Sequence, residues 1–194
     1  AQRVDKPAAQ TRVFFIGGDY VYPRTTNAYA REVATSLGMQ VVGDEYSDTA
    51  TSDYTPLIRR ILAARPDVLI VTNPGASGVA FMRQAQQFGL PRQMLVSGFA
   101  TFDQEAIDAM GDASEGVFVI NRYSMQLPGD INQRFVTAFH QAHADLPLLP
   151  GPTAAAGAYG ALMTAAQAAE NAEDQTSAAL IRALEGLTAT LPQG

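Results

Sequence analysis

The sequence predicts an α/β fold in which a central parallel sheet lies between two layers of helices, a three-layer sandwich. Short apolar runs alternate with longer amphipathic runs from residue 12 to residue 121. The apolar runs carry hydrophobic residues on both faces, which is typical of strands buried in a parallel sheet. The chain of 194 residues is 47% hydrophobic and 16% charged, which is the composition of a globular protein.

The elements follow each other in strict alternation. The predicted strands cover residues 13–17, 40–46, 68–72, 94–97 and 116–121. The helices predicted between them cover residues 24–37, 54–64, 76–88 and 103–110. Gly38 and Gly89 follow two of these helices, where a left-handed residue commonly ends a helix, and Asp53 is a predicted N-cap. In an open sheet of this kind, ligands bind outside the carboxyl ends of the strands.

The pattern changes after Ser124, where helices at residues 131–142, 153–169 and 176–187 are predicted and no strand is. We therefore expect a linker or tail at 1–11, an α/β lobe at 12–124 and a helical segment at 125–194.

Composition and charge exclude several classes of function. The net charge of −6 argues against nucleic acid, which needs a basic face. Because the chain has no cysteine, it has no disulfide and no thiolate metal site. No apolar run reaches the roughly 18 residues of a membrane span, so no membrane insertion is expected. No basic segment followed by an apolar core opens the chain, and its first residue is Ala1, so we expect a mature or truncated product without a signal peptide.

Motifs for catalysis and cofactors are weak. Gly17-Gly18-Asp19 follows a strand but lacks the G-x-G-x-x-G spacing of a dinucleotide loop. His140 and His143 have no partner motif that would complete a zinc site. Ser97 lies at a strand end without the first glycine of a G-x-S-x-G elbow, and no serine has an evident base. No catalytic residue, metal or cofactor is therefore expected.

Aromatic and small polar residues at the strand ends favour recognition over catalysis. Tyr20, Tyr22, Phe99, Phe102 and Tyr123 all fall there, although Tyr20 and Phe102 could simply pack the loops. The turn at 73–78, NPGASG, joins a strand to a helix, and its backbone N–H groups could hold a carboxylate. It could equally be an ordinary strand-to-helix turn.

Four segments together resemble the type I periplasmic solute-binding proteins, in the group that binds branched-chain amino acids, amides and urea. They are VFFIGGDYVYPR (13–24), YSDTATSDYTPLIRRI (46–61), PDVLIVTNPGASGVAFMRQAQQFGL (66–90) and ASEGVFVI (113–120). The motif DYVYPR has proline where the family usually has glycine. In this form it is most similar to the motif of the amide- and urea-binding branch.

This resemblance implies a Rossmann-like lobe of a receptor that belongs to an ABC-type transport system. Such a receptor is periplasmic, closes two lobes over a small molecule, performs no chemistry and delivers its ligand to a membrane permease. The resemblance places ligand contacts at Tyr22, in the loop after the third strand and in the loop after the fourth. The expected ligand-binding residues are Tyr22, Asn73, Gly75, Ala76, Phe99, Thr101 and Tyr123.

Two departures from the family modify the expectation. Family members that bind α-amino acids carry an acid where this chain has Phe99, and burying an ammonium group needs a paired carboxylate. An aromatic acid, whose carboxylate meets a helix N-terminus, is therefore expected beside an amide or a branched-chain amino acid. The chain also resembles the C-terminal lobe alone, with helices at 125–194 that normally pack on the other lobe. We expect a fragment that binds ligand weakly or not at all by itself.

Two other functions remain open at this point. One is a cytoplasmic regulator that senses amides with the same lobe. The other, which has less support, is a hydrolase or transferase.

Overall fold

The computed structural model describes residues 4–99, 101–146 and 152–192. The chain divides into two units, Ala1–Asn121 and Arg122–Gly194. The first unit contains the sheet and the helices that cover it, and the second contains helices alone among its described residues.

The first unit is built on five parallel strands in the order β2-β1-β3-β4-β5. The strands are β1 Arg12–Gly18, β2 Gln40–Ser47, β3 Val68–Thr72, β4 Leu95–Phe99 and β5 Val117–Ile120. The predicted α/β class with a central parallel sheet is thus confirmed. Since each pairing is parallel, all five carboxyl ends lie at one edge.

Helices connect the strands and cover the two faces of the sheet. They are α1 Val21–Ser36, α2 Thr55–Ala64, α3 Gly75–Gln87, α4 Leu90–Gln93 and α5 Gln104–Met110. Short 3₁₀ turns occur at Ala8–Gln10 and Gly111–Ser114.

The core splits into two clusters because successive strand residues point to opposite faces. Apolar side chains of α2, α3 and α5 pack on one face, and α1 packs on the other. The strand residues of the first cluster are Phe14, Ile16, Leu69, Val71 and Val96. Those of the second are Val13, Phe15 and Ile70, which meet Ala34 of α1.

Glycine allows α1 to approach the sheet closely at its first turn. A Cβ built on Gly17 would lie 2.7 Å from Pro23 Cβ and 2.7 Å from Thr72 Oγ1. Because real side chains do not approach so closely, the turn after β1 can take this path only with glycine at position 17.

Element bounds differ from the prediction in a few places. Helix α1 begins at Val21 rather than at residue 24, so Pro23 is its third residue and lies in the first turn, where the missing N–H does no harm. The short α4 was not predicted, because Pro91 follows Gly89 closely and suggests a turn. Tyr54 is the N-cap of α2, while the Asp53 carboxylate accepts the Thr55 N–H at 2.9 Å.

The second unit contains α6 Asp130–Ala142, α7 Pro152–Asn171 and α8 Ser177–Leu184. Tyr123 and Ala156 form the buried centre of an apolar cluster that includes Phe135 and Phe139. The ring centroids of Phe135 and Tyr159 are 4.8 Å apart. Among the described residues, no helix combines the length and hydrophobicity needed to cross a membrane.

Candidate ligand-binding site

The strand order creates a crevice at the carboxyl ends of β1 and β3. These strands are neighbours, yet α1, which follows β1, packs on one face and α3, which follows β3, packs on the other. Chains that leave adjacent strands in opposite directions open a gap between them, and in open α/β sheets ligands bind there.

Tyr22 spans this crevice. It lies in the first turn of α1, and its hydroxyl donates a 2.8 Å hydrogen bond to the Phe99 carbonyl at the end of β4. Since β3 lies between β1 and β4, the side chain crosses the carboxyl end of β3. Tyr22 is half-buried, so part of its surface remains accessible.

Thr101 meets Tyr22 at the same carbonyl. Its hydroxyl lies 2.7 Å from the Phe99 oxygen and 3.1 Å from the Val71 oxygen. Thr101 is itself buried. Three of the expected ligand-binding residues, Tyr22, Phe99 and Thr101, are thus brought together around one backbone oxygen.

The Phe99 side chain lies on the α1 face of the sheet. It packs against the cluster that contains Phe15 and Ile70, and it remains partly exposed. A ring in this position offers an apolar surface beside the crevice.

The N-terminus of α3 forms the other side of the crevice. Its N-cap residue, Pro74, supplies no side-chain acceptor, whereas the Asp103 carboxylate accepts the Ala106 N–H of α5 at 3.3 Å. Gly75 has a φ of +65°, and a Cβ on it would meet nothing within 4 Å. Ala76 is exposed. The first turn of α3 is therefore exposed and has no side-chain cap, as an anion site requires.

Asn73 is buried beneath that turn. Its Nδ2 donates to Ser47 Oγ at 3.3 Å, while Oδ1 is buried and has no hydrogen-bond partner among the described residues. A buried polar atom without a partner is uncommon and indicates a missing donor.

The charged residues at this edge form a pair of their own. Arg24 Nε lies 2.6 Å from Asp19 Oδ1, and the guanidinium stands 4.4 Å from the centre of the Tyr46 ring. The hydrogen bond from Arg24 lowers the pKa of Asp19, so this carboxylate is ionised and already paired. Asp19 directly follows β1, where an ammonium group at this edge would need an unpaired carboxylate.

A buried polar network behind the crevice was not expected from the sequence. Thr72 Oγ1 lies 2.8 Å from the Ile16 carbonyl and 3.0 Å from Asn27 Oδ1, and Asn27 Nδ2 donates to the Ile16 carbonyl at 3.3 Å. Asn27 and Thr72 are both fully buried. The sequence signal was a polar residue on the sheet-facing side of α1, which periodicity alone could have singled out.

The remaining expected aromatic contact, Tyr123, belongs to the second unit. It is buried, its hydroxyl donates to Asn132 Oδ1 at 2.7 Å, and burial raises its pKa. Its contact with ligand stays a prediction. Phe102 is fully buried in the core of the first unit, which agrees with the alternative that it packs rather than binds ligand. Tyr20 is 37% exposed.

The two histidines belong to the second unit, and the candidate serine is buried. His140 is in α6 and His143 follows it, and both rings contact Phe139. In the part of the chain that the structure describes, no three acids, histidines or cysteines group as metal ligands. Ser97 is buried within β4.

Comparison with known proteins identifies the family of this chain. The profile described as periplasmic binding protein matches residues 2–194. The chain belongs to the periplasmic binding protein family. The family resemblance drawn from the sequence motifs is confirmed.

Solved structures of the family share the fold closely. A solute-binding protein of an ABC transporter from Rhodopseudomonas palustris BisB5, in complex with 3,4-dihydroxybenzoic acid, is 27% identical with a TM-score of 0.82. An amino acid ABC transporter substrate-binding protein from Pseudomonas fluorescens Pf-5 is 25% identical with a TM-score of 0.77. A substrate-binding protein from Sphaerobacter thermophilus is 24% identical with a TM-score of 0.85, and shows the fold alone.

This chain spans about half the length of those proteins. The matches cover 94–95% of this chain but 48–50% of the other chains. All three similar proteins are substrate-binding components of ABC transporters.

Proposed function

We propose that this chain is the ligand-binding part of a periplasmic receptor that captures a small organic molecule and delivers it to an ABC permease. One observation carries the proposal. Tyr22, Phe99 and Thr101 converge at the crevice between β1 and β3, opposite the uncapped turn that contains Gly75. Membership of the periplasmic binding protein family supports the same role.

The proposed site consists of the expected residues of the first unit. The Tyr22 and Phe99 rings supply apolar surface, and the N–H groups at Gly75 and Ala76 supply donors. Asn73 Oδ1 supplies an acceptor. Aromatic surfaces with a few convergent polar groups are typical of ligand pockets.

Among the ligands considered, we favour an aromatic acid over an amide or a branched-chain amino acid. A carboxylate is stabilised at the N-terminus of α3 by the helix dipole and the open N–H groups. An ammonium group would need an unpaired carboxylate, and Asp19 is already paired with Arg24. The similar protein from Rhodopseudomonas palustris was crystallised with an aromatic acid of this kind.

Two other functions receive less support. A cytoplasmic regulator would share the lobe, but the similar structures are transporter components. An enzyme would need a nucleophile and a base. Ser97 is buried within a strand, and the sequence of its unit contains no histidine that could serve as the base. We therefore propose binding without chemistry.

A thermal-shift screen of the full-length protein tests the function. Benzoate, 3,4-dihydroxybenzoate, acetamide, urea and leucine are each added in excess, because a ligand that binds only the folded state raises the melting temperature. We expect the two aromatic acids to give the largest rise. A rise with leucine alone would contradict the proposed ligand class, and no rise with any of the five compounds would count against the receptor role.

Two tyrosines of α1 supply a test variant and its matched control. Tyr22→Ala removes the ring that lines the proposed crevice and should abolish the shift. Tyr29→Ala removes a ring that is 67% exposed and should leave the shift unchanged. A shift that survives Tyr22→Ala would remove Tyr22 from the site.

A further inference from the structure

At its carboxyl end, β4 extends one residue beyond its pairing with β3. The register between β3 and β4 ends at the pair Val71–Gly98, while β3 continues beside β1 through the pair Gly17–Thr72. Phe99 is therefore the first residue of β4 beyond the ladder with β3. Backbone carbonyls at such a position need another donor.

Two side-chain hydroxyls replace the missing ladder at this point. Tyr22 donates to the Phe99 carbonyl at 2.8 Å and the Thr101 hydroxyl lies 2.7 Å from it. A carbonyl oxygen has two lone pairs, so both can be used at once. Tyr22 is 77 residues from Phe99 in sequence, whereas Thr101 is two residues from it.

We propose that Tyr22 is a positioning residue: its hydroxyl, through the Phe99 carbonyl, fixes the end of β4 as one wall of the site. This role rests on the proposed function for its effect on ligand affinity. The ring of Tyr22 is then the part that faces the ligand, while the O–H group acts through the protein.

The Phe99 carbonyl can be observed singly. Phe99-Ala100 is the only Phe-Ala pair in the sequence, so the 194-residue chain labelled with carbonyl-¹³C phenylalanine and ¹⁵N alanine gives one HNCO cross-peak. Loss of a hydrogen-bond donor moves a carbonyl carbon upfield. We expect Tyr22→Phe and Thr101→Val each to move this peak upfield, and Tyr29→Phe, whose hydroxyl is on an exposed ring of the same helix, to leave it in place. A peak that does not move in Tyr22→Phe overturns the proposal, whether or not the protein binds any ligand.

Affinity separates positioning from direct contact. In the full-length protein, Tyr22→Phe should weaken the binding of benzoate and of 3,4-dihydroxybenzoate by the same factor. A factor of about fivefold is expected, because either ligand must then order a wall of the site that one neutral hydrogen bond holds in the wild-type protein. A loss confined to 3,4-dihydroxybenzoate would mean that the Tyr22 hydroxyl bonds the hydroxyls of that ligand, and would overturn the positioning role. If neither acid binds the wild-type protein, the proposed function fails, while the carbonyl peak still decides the role of Tyr22.

Discussion

Gly17→Ala is the substitution that most directly tests how α1 is seated on the sheet. The added methyl group would lie 2.7 Å from Pro23 Cβ and 2.7 Å from Thr72 Oγ1. Neither neighbour can move away cheaply. Pro23 belongs to the first turn of α1, and the Thr72 hydroxyl is held in the buried network with Asn27 and the Ile16 carbonyl.

The magnitude follows from these distances. Carbon atoms in ordinary contact are about 3.5–4.0 Å apart, so the first turn of α1 must move by about 1 Å. Overpacking of this kind costs about 1–3 kcal/mol. Because Tyr22 precedes Pro23, the same movement stretches its 2.8 Å bond to the Phe99 carbonyl, which adds about 1 kcal/mol. The free energy of unfolding should therefore fall by about 2–4 kcal/mol.

Urea unfolding followed by circular dichroism measures this loss, and the Phe99 carbonyl peak reports the movement of α1. Gly157→Ala is the control, because a Cβ on this helical glycine of α7 meets nothing within 4 Å. Alanine there should raise helix stability by up to about 1 kcal/mol. If Gly17→Ala unfolds at the wild-type urea midpoint and leaves the carbonyl peak unmoved, the close approach of α1 is wrong.

Three further substitutions test polar groups that are buried or half-buried, each by urea unfolding. Thr72→Val should lower the free energy of unfolding by about 1–3 kcal/mol, because Asn27 Oδ1 loses its partner; an unchanged midpoint would show that the network does not contribute. Tyr54→Phe should be neutral or stabilise by about 1 kcal/mol, because the buried Tyr54 hydroxyl has no hydrogen-bond partner among the described residues; a clear loss of stability would contradict this. Asp67→Asn should cost about 1 kcal/mol at neutral pH. Burial raises the pKa of Asp67, but the hydrogen bonds from Lys6 and the backbone outweigh it and hold the pKa below the usual 3.8, so this stabilisation is present above that pH and is lost as the pH falls through the native pKa. The two proteins should then become equally stable in strong acid, and a gap that persists there would contradict the assignment.

The alternation of the chain was enough to predict the sheet and its helices. Strands buried on both faces and glycines after helix ends are local signals, and β3 was predicted with the bounds that it has in the structure, Val68–Thr72. The start of α1 was placed too late, since Tyr22 and Pro23 resemble a loop when they are read without the sheet behind them. Their position in the helix depends on the glycine at 17, which lets the first turn lie against the strands.

The sequence could predict individual residues of the candidate site but not the hydrogen bonds that join them. The sequence identified Tyr22, Phe99 and Thr101 separately, at the ends of different elements. That they meet at one carbonyl depends on where the β3–β4 ladder ends, which no local pattern encodes. The pairing of Asp19 with Arg24 could not be predicted either, because the sequence shows a carboxylate at a strand end but not the side chain that it contacts.

Amide chemical-shift mapping of the full-length protein with 3,4-dihydroxybenzoate tests the central claim, that the crevice between β1 and β3 holds the ligand. We expect the changes within this unit to concentrate at Tyr22, at Gly75 and Ala76, and at Thr101. Changes concentrated instead at the opposite edge of the sheet, around Asp67, would contradict it.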